Sequence, residues 1–233
     1  MSGLSISDVV AVVPVRAGSK GLPGKNLMPL DGVPLYLRAV YQGFRTVGRV
    51  VLSTDIAEID GSDLPEGCTL CQRPEHLAAD NTPLAAVIGH LIVERSLQGA
   101  TIVLLQATSP LRSDQDIEKA VTLFREGGHD MVLSVVERDR GALKYGTIEN
   151  NTFTALSEQA FCFSNRQQLP PVFGPNGAVF VFEADRFLDV NGFPSERMGA
   201  IEMPADRSVD IDTLHDLHRV ELVLQKQRSA SNG

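Results

Sequence analysis

The sequence predicts an α/β fold built on a doubly wound, mostly parallel β-sheet with helices on both faces. Three observations lead to this prediction. Apolar runs of strand length alternate with segments of helical periodicity, the runs are apolar over most of their length, and a glycine-rich loop follows the first run. Strands that are apolar on both sides belong to sheets covered on both faces. Alternating strands and helices favour parallel pairing.

Five apolar runs are predicted to be the strands of this sheet. Each is bounded by polar or glycine-containing segments, as expected for a buried strand. They are residues 9–15, 50–55, 101–105, 130–136 and 178–182.

Four segments between and after these runs are predicted to be helices. Residues 34–46 carry apolar side chains at helical spacing. Thr82 is predicted to start the next helix, with Pro83 at its first position, and Ser113 to cap the third. The last helix is predicted at about residues 213–225.

The alternation breaks at residues 140–173, here called the excursion. It is polar, contains glycines and Asn150-Asn151, and ends in Pro170-Pro171. It also carries large apolar side chains that need burial: Tyr145, Ile148, Phe153, Phe161 and Phe163. We therefore expect a β-rich arm that meets a partner subunit rather than a loose surface loop. The chain as a whole is expected to form one domain, residues 1–233, and to assemble as a homodimer.

Composition limits the partners that we expect. The net charge of −8 argues against nucleic acid and anionic membranes as partners. No run approaches the ~20 apolar residues of a membrane span. The start of the chain has no basic residues followed by an apolar stretch, so we expect no secretory signal and a cytoplasmic location.

The three cysteines fit a reducing compartment better than a disulfide framework. Cys68 and Cys71 are spaced as CxxC, but no second pair completes a zinc site. We therefore interpret them as ordinary semi-buried cysteines.

The glycine-rich loop after the first run is the strongest local signal. Gly18, Gly21 and Gly24 allow backbone N–H groups to turn toward an anion, at the strand end where such sheets bind ligands. Local positive charge is available from Arg16, Lys20, Lys25, Arg73 and Arg112. The spacing is neither a Walker A loop nor the GxGxxG of nicotinamide-dependent oxidoreductases. A surface turn with solvated lysines is the alternative interpretation.

Several blocks together resemble a known family. They are RAGSKGLPGKN at 16–26, STD at 53–55, RP at 73–74, LAAD at 77–80, LLQATSPLR at 104–112, RQQLPP at 166–171, NGA at 176–178 and DIDT at 210–213. In this order they resemble the acylneuraminate cytidylyltransferases, the CMP-sialic acid synthetases, over residues 9–222.

The resemblance implies a Rossmann-like nucleotidyltransferase fold with a small dimerisation arm. It also implies an activity that transfers CMP from CTP to the anomeric hydroxyl of a sialic-acid-type nine-carbon 2-keto acid sugar. Pyrophosphate is released, and Mg²⁺ is the implied cofactor.

The resemblance further assigns roles to particular residues. Arg16, Ser19 and Lys25 would bind the triphosphate, with Asn26 and Arg73 near the nucleotide. Gln106 would contact the sugar close to the reacting centre, and Lys144 and Arg166 would face its acidic group. Asp210 and Asp212 would hold Mg²⁺, which prefers oxygen ligands. Arg16, Lys25, Gln106 and Asp212 are the expected catalytic residues.

Each role has a structural alternative. Asp212 precedes a predicted helix and is also a candidate for its N-cap. Arg166 in a polar segment is ordinarily a solvated charge. Gln106 stands beside a strand-ending turn, residues 108–110, and is equally compatible with a structural role.

Some positions depart from the family pattern, chiefly Gly141-Ala142, Gly174 and Leu84. They leave the identity of the nine-carbon sugar open. Two other functions remain as alternatives. One is a cytidylyltransferase for the eight-carbon sugar 3-deoxy-manno-octulosonate, a branch that usually has an arginine where this chain has Gly21. The other is a non-catalytic nucleotide-binding protein on the same fold.

Overall fold

The computed structural model describes residues 9–18 and 21–231. Eleven strands are found in this part of the chain: β1 Val9–Pro14, β2 Pro29–Leu30, β3 Val33–Pro34, β4 Val50–Thr54, β5 Cys68–Gln72, β6 Thr101–Leu105, β7 Met131–Arg138, β8 Gly146–Glu149, β9 Thr152–Ala155, β10 Val172–Glu183 and β11 Met198–Glu202. The helices there are α1 Leu35–Val47, α2 Leu84–Glu94, α3 Asp114–Arg125, α4 Ala184–Asp189 and α5 Leu214–Ser231.

Seven of these strands form the central sheet, in the order β11-β7-β10-β6-β1-β4-β5. Strand β10 runs antiparallel to both of its neighbours, β6 and β7, and the other pairings are parallel. The prediction of a mostly parallel sheet is therefore confirmed. Because the remaining six strands share one direction, their carboxyl ends lie along one edge of the sheet.

Two apolar layers cover the faces of the sheet. Along β1, alternate side chains enter different layers, as the period of two in a strand requires. Val9, Ala11 and Val13 pack on the face covered by α1 and α3. Val10 and Val12 pack on the face covered by α2 and α4. The predicted helices on both faces are confirmed.

A third apolar cluster lies beyond the sheet and holds together parts that are distant in sequence. Its buried members include Leu22 of the glycine-rich loop, Leu30 of β2, Leu217 of α5 and, just before that helix, Ile211. Residues 203–213, which connect β11 to α5, are here called the acid segment because they carry Asp210 and Asp212. The cluster packs the glycine-rich loop against this acid segment.

The helix starts follow the predictions in part. Ser113 caps α3: its hydroxyl accepts from the Asp116 amide at 3.3 Å, and the Asp116 carboxylate accepts from the Ser113 amide at 2.8 Å. The prediction for α2 was wrong by one residue, because Pro83 precedes the helix and Leu84 begins it. Helix α5 continues six residues beyond its predicted end.

The excursion contains one hairpin, β8–β9, and several short 3-10 turns, and its last two residues begin β10. Most of its large apolar side chains remain exposed, although Leu169 is buried. Tyr145, Ile148, Phe153 and Phe163 are exposed, and Phe161 is half-buried. The excursion leaves the sheet after β7 and returns into β10.

Among the described residues, no helix combines the length and the apolar composition needed to cross a bilayer.

Candidate functional site

The candidate site is a crevice of about 240 Å³ at the carboxyl edge of the sheet, where β1, β5 and β6 end. This edge is the usual ligand position in open α/β sheets. The side chains predicted from the sequence that line the crevice are Arg16, Lys25, Asn26, Arg73 and Gln106. They come from separate stretches of the chain, so the fold brings them together.

Arg16 follows β1 and forms an ion pair with Asp80, with 3.0 Å between Nη1 and Oδ1. The same nitrogen donates to the Ala79 carbonyl at 3.5 Å. The next residue, Ala17, donates its amide to Asp55 Oδ1 at 3.1 Å. Two carboxylates therefore hold the start of the glycine-rich loop at the sheet edge. Asp80 also lines the crevice, and the sequence analysis did not single it out as a site residue.

Asn26 and Arg73 are both buried although both are polar. The Asn26 Nδ2 donates to the Arg16 carbonyl at 2.9 Å, which holds the two ends of the loop together. Arg73 Nη2 donates to the Ser53 carbonyl at 3.3 Å, and its Nε has no partner among the described residues. Burial lowers the pKa of Arg73, and the nearby Asp55 only partly offsets the effect. An anionic or hydrogen-bond-accepting ligand would compensate this desolvated cation.

Lys25 joins the glycine-rich loop to the acid segment. Its Nζ donates to Asp212 Oδ1 and to the Ile211 carbonyl, each at 2.8 Å. Gly21 makes this approach possible, because a Cβ at that position would lie 2.5 Å from the Asp212 carbonyl oxygen. The Lys25 side chain is 13% exposed, whereas that of Asp212 is 68% exposed. The Asp212 carboxylate therefore has room for a further partner.

The structure argues against the N-cap alternative for Asp212. Thr213 has that role: its hydroxyl accepts from the Asp216 amide at 3.3 Å, and the Asp216 carboxylate accepts from the Thr213 amide at 2.9 Å. This reciprocal pair is the pattern of a capping box. It leaves the Asp212 side chain directed to Lys25.

Asp210 completes the acidic pair. The Thr108 hydroxyl donates a hydrogen bond to its carboxylate, and Asp212 and Lys25 lie nearby. The side chain reaches solvent, yet the surrounding protein desolvates the carboxylate enough to raise its pKa. Asp212 adds to the rise, while Thr108 and Lys25 oppose it. A bound cation would relieve this clustering of negative charge.

The donor set fits Mg²⁺. Within residues 9–18 and 21–231, no three or more His, Cys, Asp and Glu side chains are grouped as metal ligands. Asp210 and Asp212 therefore offer two carboxylates only. Mg²⁺ commonly binds through one or two carboxylates and completes its coordination with waters and substrate phosphates.

Gln106 follows β6 and its side chain lines the crevice. Arg112, which we expected to add charge for a phosphorylated ligand, does not line it, and that expectation was wrong. Arg112 is fully buried and donates to the Gln106 and Ala178 carbonyls at 3.2 and 2.7 Å. The sequence shows the charge of this residue but not its burial.

Other predicted residues lie away from the crevice or outside the described part of the chain. Lys144 is half-buried in a 3-10 turn of the excursion. Arg166 forms an exposed ion pair with Asp139 at 2.8 Å. The excursion that carries both residues starts at the carboxyl end of β7, which is on the same edge of the sheet as the crevice. Ser19 and Lys20 lie outside the described residues.

Arg207 is a further residue that the sequence analysis missed. It forms an ion pair with Asp116, whose side chain is 2% exposed, and donates to the Ser113 hydroxyl at 3.1 Å. These contacts tie the acid segment to the start of α3. No sequence signal marks the pair, since its members lie 91 residues apart.

Comparisons with known proteins agree on one family. A family model described as cytidylyltransferase matches residues 10–227. The chain is 28% identical over 223 residues to an N-acylneuraminate cytidylyltransferase of Streptococcus agalactiae serotype V, covering 91% of this chain and 52% of that protein. It is 27% identical to a CMP-N,N'-diacetyllegionaminic acid synthase of Legionella pneumophila, covering 95% of this chain and 98% of that protein.

The chain spans about half the length of the Streptococcus agalactiae relatives that it matches. Among solved structures, it is similar to CMP:2-keto-3-deoxy-manno-octonic acid synthetase complexed with CTP. The TM-score is 0.72 at 15% identity, covering 94% of this chain and 99% of that one. At this identity the likeness concerns the fold alone.

Proposed function

Because the chain belongs to the cytidylyltransferase family, we propose that it transfers CMP from CTP to the anomeric hydroxyl of an acidic nine-carbon 2-keto sugar and releases pyrophosphate. One observation carries the proposal. A crevice with several buried or half-buried cations lies beside two carboxylates, and Lys25 links the two groups. That arrangement suits a reaction between a metal-bound triphosphate and an anionic sugar.

In this proposal Arg16, Ser19 and Lys25 bind the triphosphate. Arg16 and Lys25 are supported by their position in the crevice and by the acidic partners, Asp80 and Asp212, that balance their charge without ligand. Phosphate oxygens are stronger partners for such cations than solvent is. Asn26 and Arg73 lie beside the nucleotide, with Asn26 acting partly through the loop that it holds closed.

Asp210 and Asp212 hold Mg²⁺ in this proposal. Bound there, the ion would neutralise phosphate charge and lower the pKa of a coordinated hydroxyl. For Asp212 this adds a partner beside Lys25, and for Asp210 it relieves a partly desolvated carboxylate.

The transfer forms one bond and breaks one. The anomeric oxygen of the sugar attacks the α-phosphorus of CTP, the bond from that phosphorus to the bridging oxygen breaks, and pyrophosphate leaves. The hydroxyl proton passes to solvent. Arg16 and Lys25 stabilise the negative charge that builds on the phosphate oxygens, and Gln106 orients the sugar by hydrogen bonding.

The substrate class rests on the relatives. Proteins named as acting on N-acylneuraminate and N,N'-diacetyllegionaminic acid both match more than nine-tenths of this chain. Lys144 and Arg166 are proposed to pair with the carboxylate of such a sugar. Arg166 would have to exchange its exposed ion pair with Asp139 for that contact, which costs little at the surface.

The eight-carbon sugar is the second candidate, and one observation weighs against it. The eight-carbon branch usually carries an arginine where this chain has Gly21. At this position even a Cβ would lie 2.5 Å from the Asp212 carbonyl oxygen. The loop in this chain therefore approaches the acid segment more closely than a side chain there would allow.

The decisive experiment follows pyrophosphate release from CTP and Mg²⁺ with a panel of nine-carbon and eight-carbon acid sugars. We expect release with a nine-carbon sugar, lost when Mg²⁺ is omitted. Release with the eight-carbon sugar alone would select the second candidate. No release with any sugar, from protein that still binds CTP, would contradict the catalytic role and favour a nucleotide-binding one.

We further propose that the protein is a cytoplasmic homodimer and that a second copy covers the excursion. Its apolar side chains support this: Ile148 is 76% exposed and Phe163 is 87% exposed. Ile148 also pairs across the hairpin with the exposed Phe153, and contiguous exposed apolar side chains are typical of protein–protein contact surfaces.

A further inference from the structure

The β6–β10 ladder ends next to the crevice. The last paired residues are Leu105 on β6 and Val179 on β10. The next residues, Gln106 and Ala178, stand where the strands no longer pair, and the β7–β10 register shifts between Pro175 and Phe180. Gln106, which lines the crevice, therefore lies just beyond the last paired residues of β6 and β10.

Arg112 takes over where this ladder ends. Its Nη1 donates to the carbonyls of both residues, Gln106 at 3.2 Å and Ala178 at 2.7 Å, and the Gln106 carbonyl also accepts from the Ser109 amide at 3.4 Å. Its Nη2 donates to Gln42 Oε1 on α1 at 3.0 Å, and the Gln42 amide donates back to the Arg112 carbonyl. One guanidinium thus joins β6, β10 and α1.

The neighbouring glycine keeps β10 close to the Gln106 side chain. Gly177 has φ +77°, and a Cβ there would lie 3.3 Å from Gln106 Oε1. The side chain of Gln106 is therefore confined on one side by β10, while its backbone carbonyl is held by Arg112.

We propose that Arg112 is a positioning residue, which fixes Gln106 beside the crevice by bridging the Gln106 and Ala178 carbonyls where the β6–β10 pairing ends. The inference rests on the proposed function, specifically on the role of Gln106 toward the sugar. Arg112 itself contacts neither CTP nor sugar, since it does not line the crevice.

The chemistry of the residue suits this task. Burial lowers the pKa of Arg112 to about 10, so the guanidinium remains charged at neutral pH. A charged donor forms stronger hydrogen bonds to carbonyls than a neutral one. Its planar fork serves Gln42 and the two carbonyls together, which a lysine ammonium does not do with the same geometry.

The test combines Arg112→Met with Gln106→Ala in a double-mutant cycle on turnover. We expect Arg112→Met to lower kcat at least about tenfold, since a misplacement of about 1 Å costs up to roughly 10²-fold. The Kd for CTP by calorimetry should stay within about twofold of wild type. If Arg112 acts through Gln106, the double variant turns over no slower than Gln106→Ala alone.

Arg95→Met is the matched control. Arg95 is half-buried, has a buried Nε without a partner among the described residues, and donates to the Leu70 carbonyl away from the crevice. We expect it to lower the Tm while leaving kcat unchanged. Should Arg112→Met fail to fold, Gln42→Met replaces it, with a smaller kcat loss of the same kind.

Multiplied losses in the double variant would overturn the inference, as would a Kd for CTP that rises as much as kcat falls. Normal turnover by Gln106→Ala would instead contradict the proposed role of Gln106, and the inference would fall with it. A wild-type protein inactive on every acid sugar would overturn the proposed function. The calorimetric Kd would then show whether the inactive protein still binds CTP.

Discussion

The acid segment and the excursion leave the same edge of the sheet from the neighbouring strands β11 and β7, yet they are held in opposite ways. The acid segment is fixed by side chains from several other elements. The excursion is held mainly by contacts within itself and keeps most of its large apolar side chains exposed. Backbone outside the sheet is thus ordered in two ways, by side chains of other elements in the acid segment and by local contacts in the excursion.

Buried polar contacts hold the acid segment. Asn176 Nδ2 donates to the Ser208 hydroxyl at 2.9 Å, and the Ile211 amide donates to the Thr108 carbonyl at 2.8 Å. Arg207 pairs with the buried Asp116. These bonds fix Asp210 and Asp212 without help from a second chain, and a catalytic group gains from such fixed placement.

The excursion has fewer and more exposed contacts. Arg140 donates to the Leu169 carbonyl at 3.3 Å, and Arg166 pairs with Asp139 at the surface. Among the described strands, the β8–β9 hairpin pairs with no other, and a lone hairpin is marginally stable in water. The excursion therefore gains more from a partner than the acid segment does.

Removing the ion pair of Arg207 should have the largest effect. We expect Arg207→Ala to reduce the free energy of unfolding by about 3 kcal/mol, because it leaves the buried carboxylate of Asp116 uncompensated. Urea unfolding at pH 7 measures it. Arg186→Ala, which breaks the exposed pair with Glu196, is the control and should cost less than about 1 kcal/mol.

The difference in unfolding free energy between wild type and Arg207→Ala should depend on pH, because the pair changes the pKa of Asp116. Burial alone would raise the pKa of Asp116, but the hydrogen bonds from Arg207 and Ser113 outweigh it and hold the pKa below its usual value. The pair therefore stabilises the fold above the unfolded pKa, about 3.9, and this contribution is lost as the pH falls through the lower folded value. The gap between wild type and Arg207→Ala should narrow on acidification. A gap that does not change with pH would contradict this assignment.

The next largest effect tests the link between the acid segment and the glycine-rich loop. We expect Lys25→Ala and Asp212→Ala each to lower turnover by roughly 10²-fold or more at saturating Mg²⁺, the order of loss for one charge-stabilising group. Lys119→Ala, at an exposed position of α3, is the matched control and should leave turnover unchanged. Near-wild-type turnover of either site variant would remove that residue from the site.

The sequence predicted those parts of the molecule whose determinants are local. The β1 strand follows from a run that is apolar on both faces, and the start of α3 follows from Ser113 as its cap. The glycine-rich loop was predicted from its own residues, whereas its pairing with the acidic residues was not, because Lys25 and Asp212 lie 187 residues apart.

The sequence failed where a side chain serves a distant backbone group. Arg112 was assigned to ligand charge because its sequence context does not show that Gln106 and Ala178 present carbonyls to it. Arg207 was missed because its partner, the Asp116 carboxylate, is 91 residues away in the sequence. The apolar residues of the excursion showed that burial is needed, but not that this chain alone leaves Ile148 exposed.

A smaller loss of turnover is expected when the glycine-rich loop is pushed away from the acid segment. Gly21→Ala places a Cβ against the Asp212 carbonyl, and overpacking of this kind costs about 1–3 kcal/mol. If the loop moves away rather than unfolding, turnover should fall by about tenfold. Gly192→Ala, where a Cβ meets no atom within 4 Å, is the control. Equal turnover in both variants would mean that this contact does not matter for the reaction.

The smallest effect on the fold and the clearest effect on assembly should come from the excursion. Phe163 is 87% exposed, so Phe163→Ser should change the Tm of the subunit little while weakening the proposed dimer. Light scattering at micromolar concentration should give wild type a mass of twice 25.2 kDa and the variant a lower mass. Leu222→Ser, at an exposed apolar position of α5, should leave the mass unchanged. A wild-type mass near 25.2 kDa would contradict the proposed dimer. The excursion would then differ from the acid segment only in being less firmly held.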